Sequence, residues 1–375
     1  MPFLKTPFVR KIMTLTNYWW PLIWLFLGGA IFSNMPRRRE LVAGRVAERW
    51  QPLAAFLFVL PYIIWAGFRG DIADSYLYRL AFQRASTSLA DIPALFMGDT
   101  KDPGFKALEI VIKMIVGNRY EIFFLIIATF QMLSMMHVFR KYSHNFWIPM
   151  FMFIASAGYI SWMMNGVRQF IAVTIVFLGF GLMLQKKYLP LIITIVFASI
   201  MHQSVLMMIP VVFIVQGKAW NIKTILMLCL TMVMVMFIDR FVPVLNELLQ
   251  DTQYDNALAD TNDDGTNVLR VMVGSVPALL SLLGLKYVRE ADDPVINLSV
   301  NCSIVTLAIY LISMVTSGIY IGRLPIYTTL QGYIAMPWLI DHVFERRSAQ
   351  LVTYTMIAMY CVFYYYQVGI TWNYL

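Results

Sequence analysis

The sequence predicts an all-α polytopic membrane protein with about 11–12 transmembrane helices, and three observations predict it. The 375 residues are 59% hydrophobic and only 13% charged, against about 45–50% and 25% in a soluble domain. The apolar residues fall into many separate runs close to the ~17–25 residues that a helical crossing needs, too long for barrel strands. Lysine and arginine concentrate in alternate loops, the pattern of the positive-inside rule.

Candidate spans lie at 17–35, 50–68, 119–137, 145–163, 166–184, 188–201, 203–216, 222–239, 268–285, 295–317, 324–341 and 349–366. They form a single integral membrane domain over 1–375. The first apolar run, Tyr18 to Phe32, lacks a small-x-small cleavage site and reads as a membrane segment. Spans 188–201 and 203–216 are short, with His202 between them. One set of loops carries Arg37, Arg38, Arg39, Arg45, Arg49, Arg140, Lys141, Lys186, Lys187, Lys218, Lys223, Lys286, Arg289, Arg346 and Arg347, which makes it cytoplasmic. The N-terminus, with Lys5, Arg10 and Lys11, then falls outside. A re-entrant first segment would keep it inside, and both arrangements stay open.

Two segments on the outer side are long, 69–118 and 240–267, and both are periplasmic in this topology. In the first, Asp102-Pro103 predicts a helix start with aspartate as N-cap and proline at the first helical position. Phe105, Leu108, Ile112 and Ile115 then form an apolar face, with Lys106, Glu109 and Lys113 opposite, as in a helix lying on a membrane surface. The second is an acidic outer loop with Glu247, Asp251, Asp255, Asp260, Asp263 and Asp264. Its Asp260-Thr-Asn262-Asp-Asp264-Gly265 stretch lacks the closing glutamate of a calcium loop, so calcium binding is not expected. Cys229, Cys302 and Cys361 sit inside apolar runs as small core residues rather than a disulfide framework or metal cluster. The net charge of +8 lies mostly in short loops, where it orients the chain, and nucleic acid is not an expected partner. No repeat of 20–50 residues and no duplicated halves are visible.

The chemistry gathers on the outer side. Arg168, in Asn165-Gly-Val-Arg168-Gln169, starts a span against the helix dipole, so something negative should face it, either a structural carboxylate or a substrate phosphate. Arg69 leaves the second span in Phe68-Arg69-Gly70-Asp71-Ile-Ala-Asp74-Ser-Tyr76, where it could pair with Asp71 or Asp74 or serve as an interfacial anchor. Arg323 and Tyr327 are four apart and predicted to share a helix face, although Tyr327 could equally be a belt residue. Arg270 is a further cationic candidate. His202 is either a satisfied junction residue or a general base for a sugar hydroxyl. Converging guanidinium groups suit an anionic head group such as a lipid phosphate.

Taken together, these stretches resemble the EpsG family of Wzy-like polysaccharide polymerases. The matching stretches are Arg69-Gly-Asp71 with a later tyrosine, Asp102-Pro-Gly-Phe105, Asn165-Gly-Val-Arg-Gln-Phe-Ile-Ala172, His202-Gln-Ser-Val205, and Arg323 with Tyr327 ahead of Ile334-Ala-Met-Pro337. They occur in the family's order. Asp102 stands where the family often has glutamate, and the usual threonine after Gly70 is missing. The resemblance implies a GT-C-like glycosyltransferase in the bacterial cytoplasmic (inner) membrane that joins oligosaccharides carried on undecaprenyl diphosphate. Its partners would be the lipid-linked oligosaccharide, membrane lipid and a candidate chain-length regulator.

On this reading Arg168 and Arg323, with Arg69, bind the donor diphosphate, and His202 or Asp71 takes the acceptor proton. Gln169, Tyr327, Asp74, Tyr76 and Arg270 complete the expected substrate contacts. No cofactor is expected beyond the lipid carrier, and no metal, since no Asp-x-Asp motif sits at an outer helix end. The competing readings are a flippase for lipid-linked oligosaccharide, which would place charges near the midplane and show repeated halves, and an O-antigen-ligase-like transferase.

Overall fold

A chain in lipid can satisfy its backbone only internally, so apolar runs become helices. The computed structural model describes residues 18–249 and 265–373, and a helix or broken helix occupies each predicted span. In chain order these are α1 (Trp20–Ser33), α2 (Pro52–Gly67), α3 (Ser75–Arg84), α4 (Ile92–Met97), α5 (Pro103–Val116), α6 (Tyr120–Tyr142), α7 (Trp147–Ala155), α8 (Val167–Leu178), α9 (Phe180–Leu184), α10 (Tyr188–Ser199), α11 (Met208–Ile214), α12 (Ile222–Met236), α13 (Ile238–Leu249), α14 (Val268–Leu283), α15 (Leu285–Ala291), α16 (Pro294–Met314), α17 (Ile326–Val343) and α18 (Arg346–Tyr364).

Among the described residues, α6 and α16 are each long and apolar enough to cross a membrane. The pair α14 and α15, bent by 71°, and the pair α7 and Tyr159–Asn165, bent by 73°, bring the number to up to four. The other apolar helices are shorter. A 12-residue helix such as α8 reaches only about 18 Å at 1.5 Å per residue, so the expected 11–12 spans correspond in order to helical segments that mostly fall short of full crossing length. The N-terminal residues with Lys5, Arg10 and Lys11, and the acidic stretch from Asp251 to Asp264 with its calcium-like loop, lie outside the described residues.

One element departs from an all-helical expectation. The arginine-rich loop folds as an antiparallel hairpin, β1 (Arg37–Val42) and β2 (Arg45–Trp50). Its two-residue turn has Ala43 at φ 48° and Gly44 at φ 82°, the paired positive φ that tight hairpins require. Arg140 of α6 fixes the hairpin, donating to both Glu40 oxygens at 2.9 and 3.1 Å and to the Trp50 carbonyl at 3.0 Å.

The chain divides into two compact units, residues 1–141, 145–206 and 359–375, and residues 142–144 and 207–358. In the first unit Phe82, Phe105, Phe123, Phe124, Val167 and Ile171 form an aromatic-rich core under α3 and α5. The face expected to be polar on α5 turns inward instead. Glu109 and Lys113 are buried, while Val111, Met114 and Ile115 are exposed. Lys113 explains its own burial, because its ammonium donates to the Gln83 and Ala85 carbonyls at 2.7 and 2.6 Å and so closes the C-terminal end of α3, where a cation is favourable.

In the second unit α16 packs against α12, α14 and α17. Its buried Asn297 and Asn301 accept the Ala219 and Trp220 amides at 2.9 and 3.1 Å. A chain bend that would otherwise strand two backbone donors is thereby satisfied.

Candidate functional site

The sharpest charged constellation in the first unit centres on Asp102. It precedes α5 with Pro103 at the first helical position, as expected, but its backbone is left-handed, φ 54° and ψ 57°, and its side chain makes no capping bond. Aspartate tolerates that conformation better than most residues. The carboxylate is spent elsewhere. Arg168 Nη1 donates to Oδ2 at 2.7 Å, and His202 Nδ1 lies 3.2 and 3.3 Å from the two oxygens. The Asp102 side chain is only 2% exposed, whereas Arg168 is 31% and His202 16% exposed. A buried anion thus holds two partners that both reach solvent-accessible space.

Three local features set this geometry. Arg168 is the second residue of α8, which begins after the wide helical turn Tyr159–Asn165 and Gly166. Wide turns of this kind break the regular backbone ladder and recur at functional sites. His202 follows the end of α10. Gly104 ties α5 to that end, with its amide donating to the Ile200 carbonyl at 2.9 Å. A Cβ on Gly104 would lie 2.6 Å from Ile200 Cγ1 and 2.9 Å from its carbonyl oxygen, so only glycine lets Asp102 and His202 approach this closely.

The chemistry follows from the donors. An ionised carboxylate can only accept, so the hydrogen in the His202 contact sits on Nδ1 and the lone pair of a neutral ring sits on Nε2. That nitrogen is then a base held in one orientation. Arg168 Nη1 is held by Asp102, the guanidinium also hydrogen-bonds the Tyr78 side chain, and the 31% of the Arg168 side chain that is exposed leaves its charge within reach of an anion.

The other residues singled out in the sequence distribute differently. Arg69 is buried and donates through Nη1 to the Ala66 and Met163 carbonyls at 3.1 and 2.9 Å, with its guanidinium 3.9 Å from the Phe124 ring centre. The Met163 carbonyl belongs to the wide turn. The Arg69 Nε and Nη2 have no hydrogen-bond partner, and burial pulls its pKa down to about 10. Arg69 therefore pairs with neither Asp71 nor Asp74. Asp71 is held by Arg79 of α3 at 2.8 and 3.1 Å. Asp74 precedes α3, Tyr76 is exposed with the Arg79 guanidinium 5.1 Å from its ring, and Gln169 is buried.

In the second unit Arg270 lies in the first turn of α14, and Arg323 is exposed at the end of the short helical turn Ile321–Arg323. Tyr327 is buried in the first turn of α17. Leu324 and Pro325 separate the two elements, so Arg323 and Tyr327 do not share the helix face expected from their spacing.

Asp102 itself was legible as a helix cap and as part of the Asp102-Pro-Gly-Phe105 stretch, but not as the partner of Arg168 and His202. The signal that could have found it is Arg168 at a helix start, which calls for an anion. Beside it lies a cavity of about 170 Å³ lined by Asp74, Tyr78, Phe105, Lys106, Glu109 and Arg168. Burial pushes the Glu109 carboxyl up from its ordinary range, and Lys106, 3.0 Å away, pulls it down.

Residues 53–371 match the family model described as the EpsG family. No curated protein and no solved structure matches the chain.

Proposed function

From the premise that this chain belongs to the EpsG family of Wzy-like polysaccharide polymerases, we propose that it joins repeat units carried on undecaprenyl diphosphate into a surface polysaccharide. The reaction takes place at the periplasmic face of the bacterial inner membrane, on a GT-C-like helical scaffold. The observation that supports a working site in the first unit is the buried Asp102 carboxylate holding both Arg168 and His202.

The transfer breaks the bond between the anomeric carbon of the growing chain and its diphosphate oxygen. A new bond forms from that carbon to a hydroxyl of the next lipid-linked unit. His202 Nε2 takes the hydroxyl proton, and Asp102 holds the ring in the required tautomer and offsets the imidazolium charge. The departing diphosphate gains charge as the bond breaks, and the Arg168 guanidinium stabilises it. Asp71, already paired with Arg79, is the weaker candidate for the base.

Arg168→Ala is expected to slow polymer formation about 10²–10³-fold, the usual cost of one lost donor at a developing oxyanion. Arg168→Lys keeps charge but loses the fork and should fall between. The assay is a polymer ladder from purified protein and undecaprenyl-diphosphate-linked repeat unit. A normal ladder from Arg168→Ala would reject this mechanism. Transport of the lipid-linked unit across liposomes without a ladder would identify a flippase. Arg323→Ala and Asp71→Asn in the same assay test the roles expected of those residues.

Gly104→Ala should also be costly although it touches no reacting atom. The new methyl must displace Ile200 or α5, and an ångström of misplacement is enough for a loss on the order of 10²-fold. Gly98→Ala is the control, since its added Cβ meets nothing closer than 3.7 Å. Polymer length in cells at matched protein levels should separate the two.

A further inference from the structure

The β1–β2 hairpin presents an outer surface that the fold does not use. Side chains along a strand alternate between its two faces. On one face Val42 and Arg49 are buried and Glu40 accepts from Arg140, a residue in the last turn of α6. That helix is long and apolar enough to cross a membrane, so the hairpin is clasped to the end of a span and sits at a membrane boundary. The other face carries Leu41 and Val46, direct cross-strand partners that are each 72% exposed. Arg38, Arg39 and Arg45 are exposed around this tip. Residues 37–50 hold five arginines against two glutamates. Both glutamates are already paired, Glu48 with Arg39 at 3.4 Å and Glu40 with Arg140 at 2.9 Å, so the excess charge at the tip is positive.

An apolar pair within a collar of guanidinium groups matches a layer that is apolar on one side and anionic on the other. Two side chains are too small a patch for a stable protein partner, which needs roughly 800 Å² on each side. In lipid the pair leaves water, while the arginine stems lie along it and their charged ends reach phosphate oxygens. We propose that the hairpin tip is a docking surface for anionic glycerophospholipid headgroups of the membrane that holds the chain. Leu41 and Val46 sit just below the phosphates, and Arg38, Arg39 and Arg45 lie among them. The contact is passed on to α6 through Arg140 and through Arg49, whose Nε donates to the Lys141 carbonyl at 2.9 Å. The end of that helix is thereby held at headgroup level.

The test places a nitroxide on Val46→Cys in the full-length chain, with Cys229→Ala and Cys361→Ala so that the remaining native thiol is the buried Cys302. The protein is reconstituted in vesicles of phosphatidylcholine with phosphatidylglycerol, and separately in phosphatidylcholine alone. In the mixed vesicles, dissolved oxygen should relax the nitroxide more strongly than an uncharged, water-soluble nickel chelate does, as at an apolar depth. In phosphatidylcholine alone the preference should shift toward nickel. The triple variant Arg38→Gln, Arg39→Gln, Arg45→Gln should show the same shift in the mixed vesicles. The lipid comparison needs no arginine change, so it decides the matter if the triple variant fails to fold. A nitroxide relaxed more strongly by nickel in the mixed vesicles would put the tip in water and overturn the proposal. One that neither reagent reaches would mean that protein covers the tip, a second copy of this chain included, and would overturn it too. An oxygen preference that changes with neither the lipid nor the arginines would overturn the headgroup contact.

Discussion

Asp102→Asn is expected to leave a folded protein that has lost most of its polymerising activity, by about 10²–10⁴-fold. Asparagine keeps the size of the side chain, and its carbonyl oxygen can still accept from Arg168. Its amide nitrogen then faces His202 Nδ1 and can only donate. The ring must accept at Nδ1 and carry its hydrogen on Nε2, which removes the base. Asp102→Ala adds a stability cost, because Arg168 loses its counter-ion. Breaking a fully buried pair costs about 3–5 kcal/mol. Arg168 is 31% exposed, and solvent reduces this to about 2–3 kcal/mol. Melting temperatures in detergent, read beside polymer yield, distinguish the two variants. Asparagine should fail in activity while melting close to wild type, and alanine should fail in both. An asparagine variant with wild-type activity would show that Asp102 only supports the fold.

His202→Ala is the second large effect, a loss of about 10²–10⁴-fold, the range for removal of a positioned general base. The variant should still bind lipid-linked repeat unit, so the loss belongs in kcat and not in KM. Because the ring is 16% exposed, added imidazole has a route to the vacated space and should restore part of the rate. A histidine that merely satisfied a junction would show no such rescue.

How far the sequence carried the reading differs by element. The order of helical segments was legible because long apolar runs satisfy their backbone as helices; α6 begins and α16 ends within a few residues of expectation, while most of the other expected spans form helices too short to cross. The β1–β2 hairpin was hidden because six-residue strands rich in arginine lack the apolar alternation that marks a half-buried sheet. The wide turn Tyr159–Asn165 was hidden for another reason. It is a break within a continuous apolar run, and apolar periodicity does not record which carbonyl each amide meets.

In the site, the motifs identified Arg168 and His202 but not what connects them. Asp102 is 66 residues from one and 100 from the other, and its local context, aspartate before proline, has a sufficient local explanation as a cap. Glu109 was assigned to a solvated face because helical spacing says which residues share a side, not what covers that side. Here α3 covers it, and the same spacing that predicts an amphipathic helix places a carboxylate in the interior.

The most direct measurement is the initial rate of undecaprenyl diphosphate release from lipid-linked repeat unit by purified wild type, Asp102→Ala, His202→Ala and the double variant. If Asp102 acts by holding the His202 base, wild type releases carrier as polymer lengthens. His202→Ala then falls at least 10²-fold, and the double variant is little slower than His202→Ala, because residues that act as one unit are not additive. Absence of release from wild type, or a double variant slowed by the product of the two single losses, would contradict the account.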